Sequence, residues 1–300
     1  MATPPTFHPA SRPSDHSAVA ARLGTRPLRH AALRNQTVLL GGGVVAVILA
    51  VALAAPLIAR HDPLALDVAG HLRPPSPEYP MGTDYVGRDL FARVLYGGRL
   101  SMLVGAGVVT LATVPGSILG LTAGTIPRLD PWIMRTMDAL LALPAILLAI
   151  AMLAVVGPSV SNVIVALAIS STPRMARLVR GSALVARTLT FVEAARAIGA
   201  HEAVIMARHI LPNVISPIIV QATYTFSTAV LAEAALSFLG VGAPPEVPSW
   251  GNILSEGRAL LGQAPWMTLF PGAAIVLVVL GANLLGDGLR DVLDPQLRGE

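Results

Sequence analysis

The sequence predicts an all-α protein embedded in a membrane. Of its 300 residues, 54% are hydrophobic and only 13% are charged, which is too few charged groups for the surface of a soluble protein of this size. Several stretches carry no charge, and about 20 helical residues cover the roughly 30 Å of hydrocarbon in a bilayer. We therefore expect a polytopic bundle of six transmembrane helices. The uncharged stretches are residues 35–59, 100–127, 139–157, 158–173, 211–232 and 259–286.

The N-terminal segment, residues 1–36, is rich in Pro, Ser, Ala and Arg, a composition typical of a disordered tail. The apolar stretch after it is too long for the apolar region of a cleaved signal peptide, so we expect it to remain as the first span. The chain then divides into a tail, a first span with its outer segment, a five-helix core and a short C-terminal tail. The corresponding residues are 1–36, 37–99, 100–290 and 291–300.

The fourth uncharged stretch is the shortest, because residues 158–173 fall just below the roughly 17 residues that a crossing requires. A helix that continues past Pro173, with Arg174 and Arg177 reaching the interface, would complete the crossing. The alternative is a re-entrant segment. It would leave five crossings and move the arginine-rich residues 174–208 to the outer side.

The distribution of arginine predicts the orientation, because the cytoplasmic flanks of membrane spans are enriched in basic residues. If six spans alternate, most arginines fall on the side of the N-terminal tail, notably within residues 12–34 and 174–208. Both termini are therefore expected in the cytoplasm.

Composition also argues against catalysis on this chain. It has no cysteine, and none of its 21 basic residues is lysine, so the Gly-x-x-x-x-Gly-Lys phosphate loop of an ATPase is missing. His201-Glu202 begins like a zinc-binding His-Glu-x-x-His, but Ile205 replaces the second histidine. We expect no enzymatic activity and no cofactor or metal on this chain. Any ATP that drives it should be bound by partner subunits.

Two acidic residues fall within or beside predicted spans, where a carboxylate is costly and marks a pathway or a pair. Asp138 lies one turn from Arg135, which favours an interfacial ion pair over a role in a pathway. Glu233 lies deeper, among apolar residues at the outer end of the fifth span. A structural hydrogen-bond role is favoured there over binding of a substrate.

The segment between the fourth and fifth spans predicts two short helices on the membrane surface. Thr190 and Glu193 have the spacing of a capping box, and Gly199 suits the left-handed residue that ends a helix. Pro212 can close the second helix or open the next span. A compact helical projection of this kind fits a groove on a soluble partner.

The outer segment between the first two spans carries charges of alternating sign. On a helix that begins near Asp89, Arg93 lies one turn along on the same face, and Gly97-Gly98 permits a sharp bend before the second span. We expect an ordered set of ion pairs here, whereas the alternative is a solvated loop. The residues of this motif are Gly82, Thr83, Asp84, Gly87, Arg88, Asp89, Arg93 and Arg99.

These patterns together resemble the permeases of ATP-binding-cassette (ABC) importers. Glu193-Ala194-Ala195, Gly199 and Ile210-Leu211-Pro212 are similar to the EAA loop, through which the ATPases of these importers drive the membrane subunits. The outer motif, the stretch around Glu233 (231–240) and residues 286–295 narrow the resemblance to the C-type permease of the dipeptide, oligopeptide and nickel branch. The likeness covers residues 35–297, with Ala92 in place of the usual serine.

The resemblance implies a bacterial inner-membrane subunit that translocates dipeptides or oligopeptides. Its implied partners are a second homologous permease, two ATPases and an extracytoplasmic substrate-binding protein. Nucleic acid is not expected as a partner, because the arginines are spread over several inter-span segments and form no basic face interleaved with aromatic residues. Nickel or another small solute is the alternative cargo. An ion-coupled secondary transporter is a further alternative, but the lack of paired intramembrane acids disfavours it. A scaffold role is another alternative, and it is disfavoured because it would leave residues 190–212 unexplained.

Overall fold

The computed structural model describes residues 35–293, and within this range the chain is helical and has no strand. An isolated bridge between Thr83 and Asp89 is the one β-type contact in these residues. The predicted all-α class is thereby confirmed. The predicted N-terminal tail up to residue 34 and residues 294–300 of the C-terminal tail lie outside the described range.

In chain order the helices are α1 (Gln36–Leu53), α2 (Ala55–Ile58), α3 (Leu90–Thr125), α4 (Asp130–Leu141), α5 (Ala145–Val156), α6 (Val160–Ala186), α7 (Thr190–Ala197), α8 (Glu202–Ile205), α9 (Leu211–Phe238), α10 (Trp250–Gly257) and α11 (Trp266–Leu293). Two 3₁₀ turns, Val68–Gly70 and Arg258–Leu260, and a π-helical turn, Met206–Ile210, complete the secondary structure of the described residues.

Polar side chains fix where several helices begin. Asn35 accepts hydrogen bonds from the backbone N–H groups at the start of α1, and Asp89 does the same for α3. Ser159 and Ser249 cap α6 and α10 in the same way. Each cap satisfies a donor that the first helical turn leaves unpaired, which stabilises the helix by about 1 kcal/mol.

Four of the described helices are long and apolar enough to cross a membrane: α1, α3, the continuous stretch Glu202–Phe238 and α11. A fifth crossing is added if α4 and α5, which meet at 86°, form one broken span. The predicted third span is therefore not one straight helix over residues 139–157. Its break lies before Pro144, which disfavours helical geometry in the preceding residue.

The predicted fourth span forms one continuous helix, α6, which runs through Pro173 for 27 residues. Its length is about 40 Å at 1.5 Å per residue, which suffices for a crossing. However, Arg174, Arg177 and Arg180 occupy its second half, so α6 is not among the helices that qualify by apolar composition.

Helix α3 lies at the centre of the bundle, and it packs most extensively against α6 and also contacts α1, α9 and α11. Small residues permit this close packing, because a Cβ atom added at Gly120 would lie 2.4 Å from the carbonyl oxygen of Ala176. The two ends of α3 carry different structures. We call them the α10 end, where residues 59–89 and α10 cover the bundle, and the α7 end, where α7 and α8 pack.

Two predicted boundaries change because α3 begins at Leu90 rather than near residue 100. Gly97 and Gly98 therefore do not form a turn before the second span. They lie inside α3, where the indole of Trp250 rests on them and donates a hydrogen bond of 2.9 Å to the Val94 carbonyl. The predicted boundary between the segments 37–99 and 100–290 accordingly falls inside α3. At the other end of the chain, α11 extends to Leu293, so the first residues of the predicted C-terminal tail are helical.

Candidate functional site

The first candidate site, the EAA-like loop (residues 190–212), contains the short helix α7 and the start of a second helix. The second is not a separate short helix as predicted, because α8 continues without a break through the π-helical turn into α9. After α7, Gly199 adopts φ +82°, and the N–H groups of Gly199 and Ala200 donate to the carbonyls of Arg196 and Ala195. This double hydrogen bond is a Schellman motif, which needs a left-handed residue at the position of Gly199. The chain then enters α8, continues through the π-helical turn and joins α9 at Leu211, with Pro212 in the first turn of α9.

The predicted capping box at the start of α7 is wrong. Thr190 is already helical, the N-cap residue is Leu189, and no side chain accepts a hydrogen bond there. Helix α7 therefore begins without a polar cap. Its start depends instead on packing, because Val192 is fully buried.

One face of the EAA-like loop packs on the α7 end of the bundle. Ala195, Ile205 and Ile210 are buried in a cluster with Val179 and Ala183 of α6. Burial of these apolar groups fixes the orientation of the loop relative to α6 and α9.

The opposite face of the EAA-like loop is exposed and apolar. Ile198 is 86% exposed, and Phe191 and Val204 are also exposed. Glu193 and Ala194 lie on the exposed side as well. Beside them, a hydrogen bond to Glu202 raises the pKa of Arg196 above its ordinary value. An apolar patch with a charged rim is typical of a protein–protein contact.

The second candidate site is a buried set of ion pairs at the α10 end, which we call the charge cluster (Asp84, Arg88, Arg93 and Glu256). Asp84 Oδ2 accepts from Arg88 Nε at 2.6 Å and from Arg93 Nη1 at 2.5 Å. Glu256 completes the cluster at 2.5 Å from Arg93 and 3.2 Å from Arg88. The two arginines thus share two carboxylates, so the net charge of the cluster is zero.

The charge cluster is buried at Asp84 and Arg93, whereas Arg88 and Glu256 lie at its partly exposed edge. Asp84 is 0% exposed and Arg93 is 1% exposed. Burial lowers the pKa of Arg88, but the charges of Asp84 and Glu256 raise it by more, so its pKa lies above the ordinary value. An ion pair in this setting is costly to break, because removing one partner leaves a buried charge uncompensated.

Backbone geometry holds the segment that carries Asp84. Gly82 and Gly87 both adopt positive φ, and a Cβ atom at Gly87 would lie 1.7 Å from the carbonyl oxygen of Asp67. The buried hydroxyl of Thr83 donates to the Gly70 carbonyl at 2.6 Å. The outer motif is thus an ordered structure among the described residues rather than a solvated loop.

Two members of the predicted motif lie apart from the charge cluster. Asp89 caps α3 and contacts His61 Nδ1 at 2.9 Å. Arg99 is exposed, and its guanidinium lies over the ring of Tyr96. The helical spacing of Asp89 and Arg93 therefore does not lead to a direct ion pair between them.

Glu233 is fully buried in α9 and hydrogen-bonded, as its structural interpretation requires. Ser237 donates to it at 2.8 Å and Ser101 of α3 donates at 3.1 Å. Ser237 in turn accepts from the N–H of Ala243, which ties the connection after α9 to the same carboxylate. Glu233 therefore links α9, α3 and the connection that follows α9.

The predicted pairing of Asp138 with Arg135 is wrong. Asp138 accepts from Arg177 of α6 at 2.6 Å, and neighbouring Arg180 binds Asp130. Both pairs connect α4 to α6. Helical spacing correctly predicted that Asp138 forms an ion pair, but it gave the wrong partner, because the partner is on another helix.

Sequence reasoning also missed Glu256, the carboxylate that balances the second arginine of the charge cluster. It lies 163 positions after Arg93, and no local pattern connects the two. The available signal was charge balance, because Arg88 and Arg93 require more acid than Asp84 supplies. Within residues 35–293, no group of three or more His, Cys, Asp or Glu side chains is placed to hold a metal ion.

Comparisons with known proteins agree with this architecture. The family model described as "Binding-protein-dependent transport system inner membrane component" matches residues 116–299. A putative peptide transport system permease of Brucella abortus is 46% identical over 300 residues, covering 100% of this chain and 99% of its own length. A dipeptide transport system permease of Alkalihalophilus pseudofirmus is 46% identical over 266 residues, covering 88% of both chains.

A solved structure shares the fold. The chain is similar to a chain of the MetNI methionine ABC transporter in inward-facing conformations, with a TM-score of 0.53 and 24% identity over 68% of this chain and 97% of that chain. The long apolar helices are consistent with a multi-pass protein of the inner membrane. The chain belongs to the family of binding-protein-dependent transport system inner membrane components, which are transport proteins rather than enzymes.

Proposed function

We propose that this chain is a membrane-spanning permease subunit of an ATP-driven importer of short peptides. The observation that carries the proposal is the EAA-like loop, whose inner face is packed on the bundle while its outer face presents exposed apolar residues. The relatives support peptide as cargo, because they are named as peptide, dipeptide and glutathione transport permeases. These names do not mention nickel, so nickel is the less favoured cargo.

The topology that fits this function has six crossings, with the broken pair α4–α5 as the third and α6 as the fourth. Both termini are then cytoplasmic, and residues 1–36 and 291–300 are the cytoplasmic tails. Helix α3 is about 54 Å long at 1.5 Å per residue, so the EAA-like loop and the charge cluster are on opposite sides of the membrane. The arginines of residues 174–208 favour the cytoplasm for the loop.

The partners follow from this arrangement. The EAA-like loop docks an ATPase, and the α10 end lies where a substrate-binding protein delivers cargo. ATP binds to the two ATPase subunits, since this chain lacks lysine. A second permease completes the translocation path. Closure of the ATPases would move α7 and α8, and thereby rock α6 and α9 around the path.

Uptake of labelled alanyl-alanine tests the function. Cells that lack this chain should lose ATP-dependent uptake and regain it when the chain is restored. Inactivating the partner ATPase should abolish uptake equally. Uptake that survives loss of the ATPase but collapses with the proton gradient would indicate a secondary transporter, and uptake of nickel in place of peptide would refute the cargo.

Reporter fusions test the topology separately. Reporters placed after Gly157, Thr188 and Arg290 should report an outer, a cytoplasmic and a cytoplasmic location. An outer signal at Thr188 would mean that α6 does not cross the membrane and that the EAA-like loop cannot reach an ATPase.

A further inference from the structure

A cavity of about 620 Å³ opens near the α7 end, between α6, the first half of α9 and the last turn of α11. Its volume falls within the roughly 300–1,000 Å³ of small-molecule sites. Apolar side chains such as Leu178 and Val220 form part of the wall. The remainder of the wall is polar, which is unusual for a gap between transmembrane helices.

The polar groups on α9 lie on one face of the helix. Ser216 and Tyr224 are two helical turns apart, with the apolar Val220 between them, and the polar Gln221 is the residue after Val220. Within residues 35–293, the side chains of Ser216 and Gln221 make no hydrogen bond. The cavity therefore has a hydroxyl and an amide with free hydrogen-bonding capacity, and both groups suit a peptide bond.

Among the described residues, the cavity also has a cation that forms no ion pair. Arg290 of α11 lines it, and no ion pair joins Arg290 to another of the described residues. Asp287, one turn before Arg290 on α11, accepts a hydrogen bond from Tyr224 instead of forming an ion pair with Arg290. A guanidinium presents two parallel N–H donors, which match the two oxygens of a carboxylate.

We infer that this cavity binds the carboxyl-terminal end of a translocated peptide, with Arg290 on the carboxylate and Ser216 and Gln221 on the last peptide group. The inference rests on the proposed function, because it takes the cargo to be a peptide. The site would hold cargo on the cytoplasmic part of the path, after its release from the binding protein.

The location of the cavity connects it to the ATPases. Pro212 and Asn213 line the cavity and also form the first turn of α9, directly after the π-helical turn of the EAA-like loop. Movement of the loop would shift these residues relative to Arg290 on α11. Binding at the site would therefore respond to the state of the ATPases.

Cysteine protection tests the site directly, because the chain has no native cysteine. The Gln221→Cys variant, assembled with its partner subunits in proteoliposomes, is labelled with a small charged methanethiosulfonate. Alanyl-alanine at about ten times its Kd should slow labelling about tenfold, since about one site in ten stays empty. N-acetyl-alanyl-alanine should protect equally, whereas alanyl-alanine amide should not protect.

Three controls refine the test. Adding Arg290→Gln should abolish protection by alanyl-alanine, and Ser216→Cys should reproduce the result if Gln221→Cys assembles poorly. Thr228→Cys, on the exposed part of the same helix beyond the cavity, should label at a rate that the dipeptide does not change. Equal protection by the amide, or protection that persists in Arg290→Gln, would overturn the assignment of the carboxylate.

A lipid phosphate could also bind Arg290, and membrane composition separates the two sources of anion. If labelling without peptide is slow only in vesicles that contain phosphatidylglycerol, and Arg290→Gln restores it, the cavity binds lipid and the inference fails. Uptake of alanyl-alanine by the same proteoliposomes tests the proposed function independently. ATP-dependent uptake without protection refutes the site alone, whereas absence of uptake refutes the function.

Discussion

The charge cluster at the α10 end and the EAA-like loop at the α7 end both contain arginine–carboxylate pairs, but the pairs differ in their exposure. In the cluster, the side chains of Arg93 and Asp84 are 1% and 0% exposed, whereas those of Arg196 and Glu202 in the loop are 31% and 49% exposed. An exposed pair contributes about 0–1 kcal/mol, but breaking a buried one costs about 3–5 kcal/mol.

This difference indicates different tasks. The charge cluster joins the segment before α3 to α10, and its two arginines and two carboxylates all come from this chain, so it acts as a fixed part of the structure. The EAA-like loop leaves Ile198 almost fully exposed beside its weak pair. Under the proposed function that face contacts the ATPase, and its exposed side chains contribute little to the stability of the chain itself.

The largest effect is expected from Asp84→Asn. The change keeps the shape but leaves Arg88 and Arg93 with Glu256 alone, and it should lower the free energy of unfolding by about 3–5 kcal/mol. Thermal unfolding in detergent and protein level in membranes would measure the loss. Glu78→Gln, an exposed acid in the same outer segment, serves as the control and should change little. If Asp84→Asn unfolds like the wild type, the buried ion pairs of the charge cluster are no more important for stability than the exposed pair of the EAA-like loop.

Exchanging the pair, as Asp84→Arg with Arg88→Asp, sharpens this test. A simple ion pair would be restored, but Asp84 also accepts from Arg93 and from the backbone N–H groups of Val86 and Arg88. We therefore expect the exchange to remain as unstable as the Asp84→Arg variant in a double-mutant cycle. Recovery of stability and uptake would mean that the cluster is an isolated pair.

An intermediate effect is expected from Gly199→Val. Open space surrounds Gly199, so the cost arises from its φ of +82° and should be about 1–3 kcal/mol within the loop. Membrane insertion should persist, while peptide uptake and ATPase stimulation fall. Gly181→Val is the matched control, because Gly181 also has open space but lies within α6 at ordinary φ. Wild-type coupling in Gly199→Val would refute docking at the loop.

The smallest effect on stability is expected from Arg196→Ala. Loss of its exposed pair with Glu202 should change the free energy of unfolding by about 0–1 kcal/mol, within the scatter of a melting curve. Co-purification of the ATPase should nevertheless weaken, because Arg196 borders the exposed apolar face. Arg128→Ala, an exposed arginine outside the loop, should leave co-purification unchanged. A large loss of stability in Arg196→Ala would show that the loop is fixed like the charge cluster.

The sequence predicted features that depend on local rules. The uncharged stretches identified the apolar helices, Gly199 marked the end of α7, and Asp89 marked the start of α3. Each of these signals acts within a few residues, through hydrogen bonds or backbone sterics that the neighbouring residues determine. Local rules failed at Thr190, where burial of Val192 rather than a polar cap fixes the start of the helix.

What the sequence alone determined about this protein is its membrane class, the approximate positions of its long apolar helices and the presence of two charged regions. Only the tertiary structure decided the partners in those regions: Glu256 for Arg93, Arg177 for Asp138 and Ser101 for Glu233. The physical reason is distance along the chain. Helix packing brings side chains together across tens of residues or more, and a charged group within the bundle must find its partner wherever packing places one.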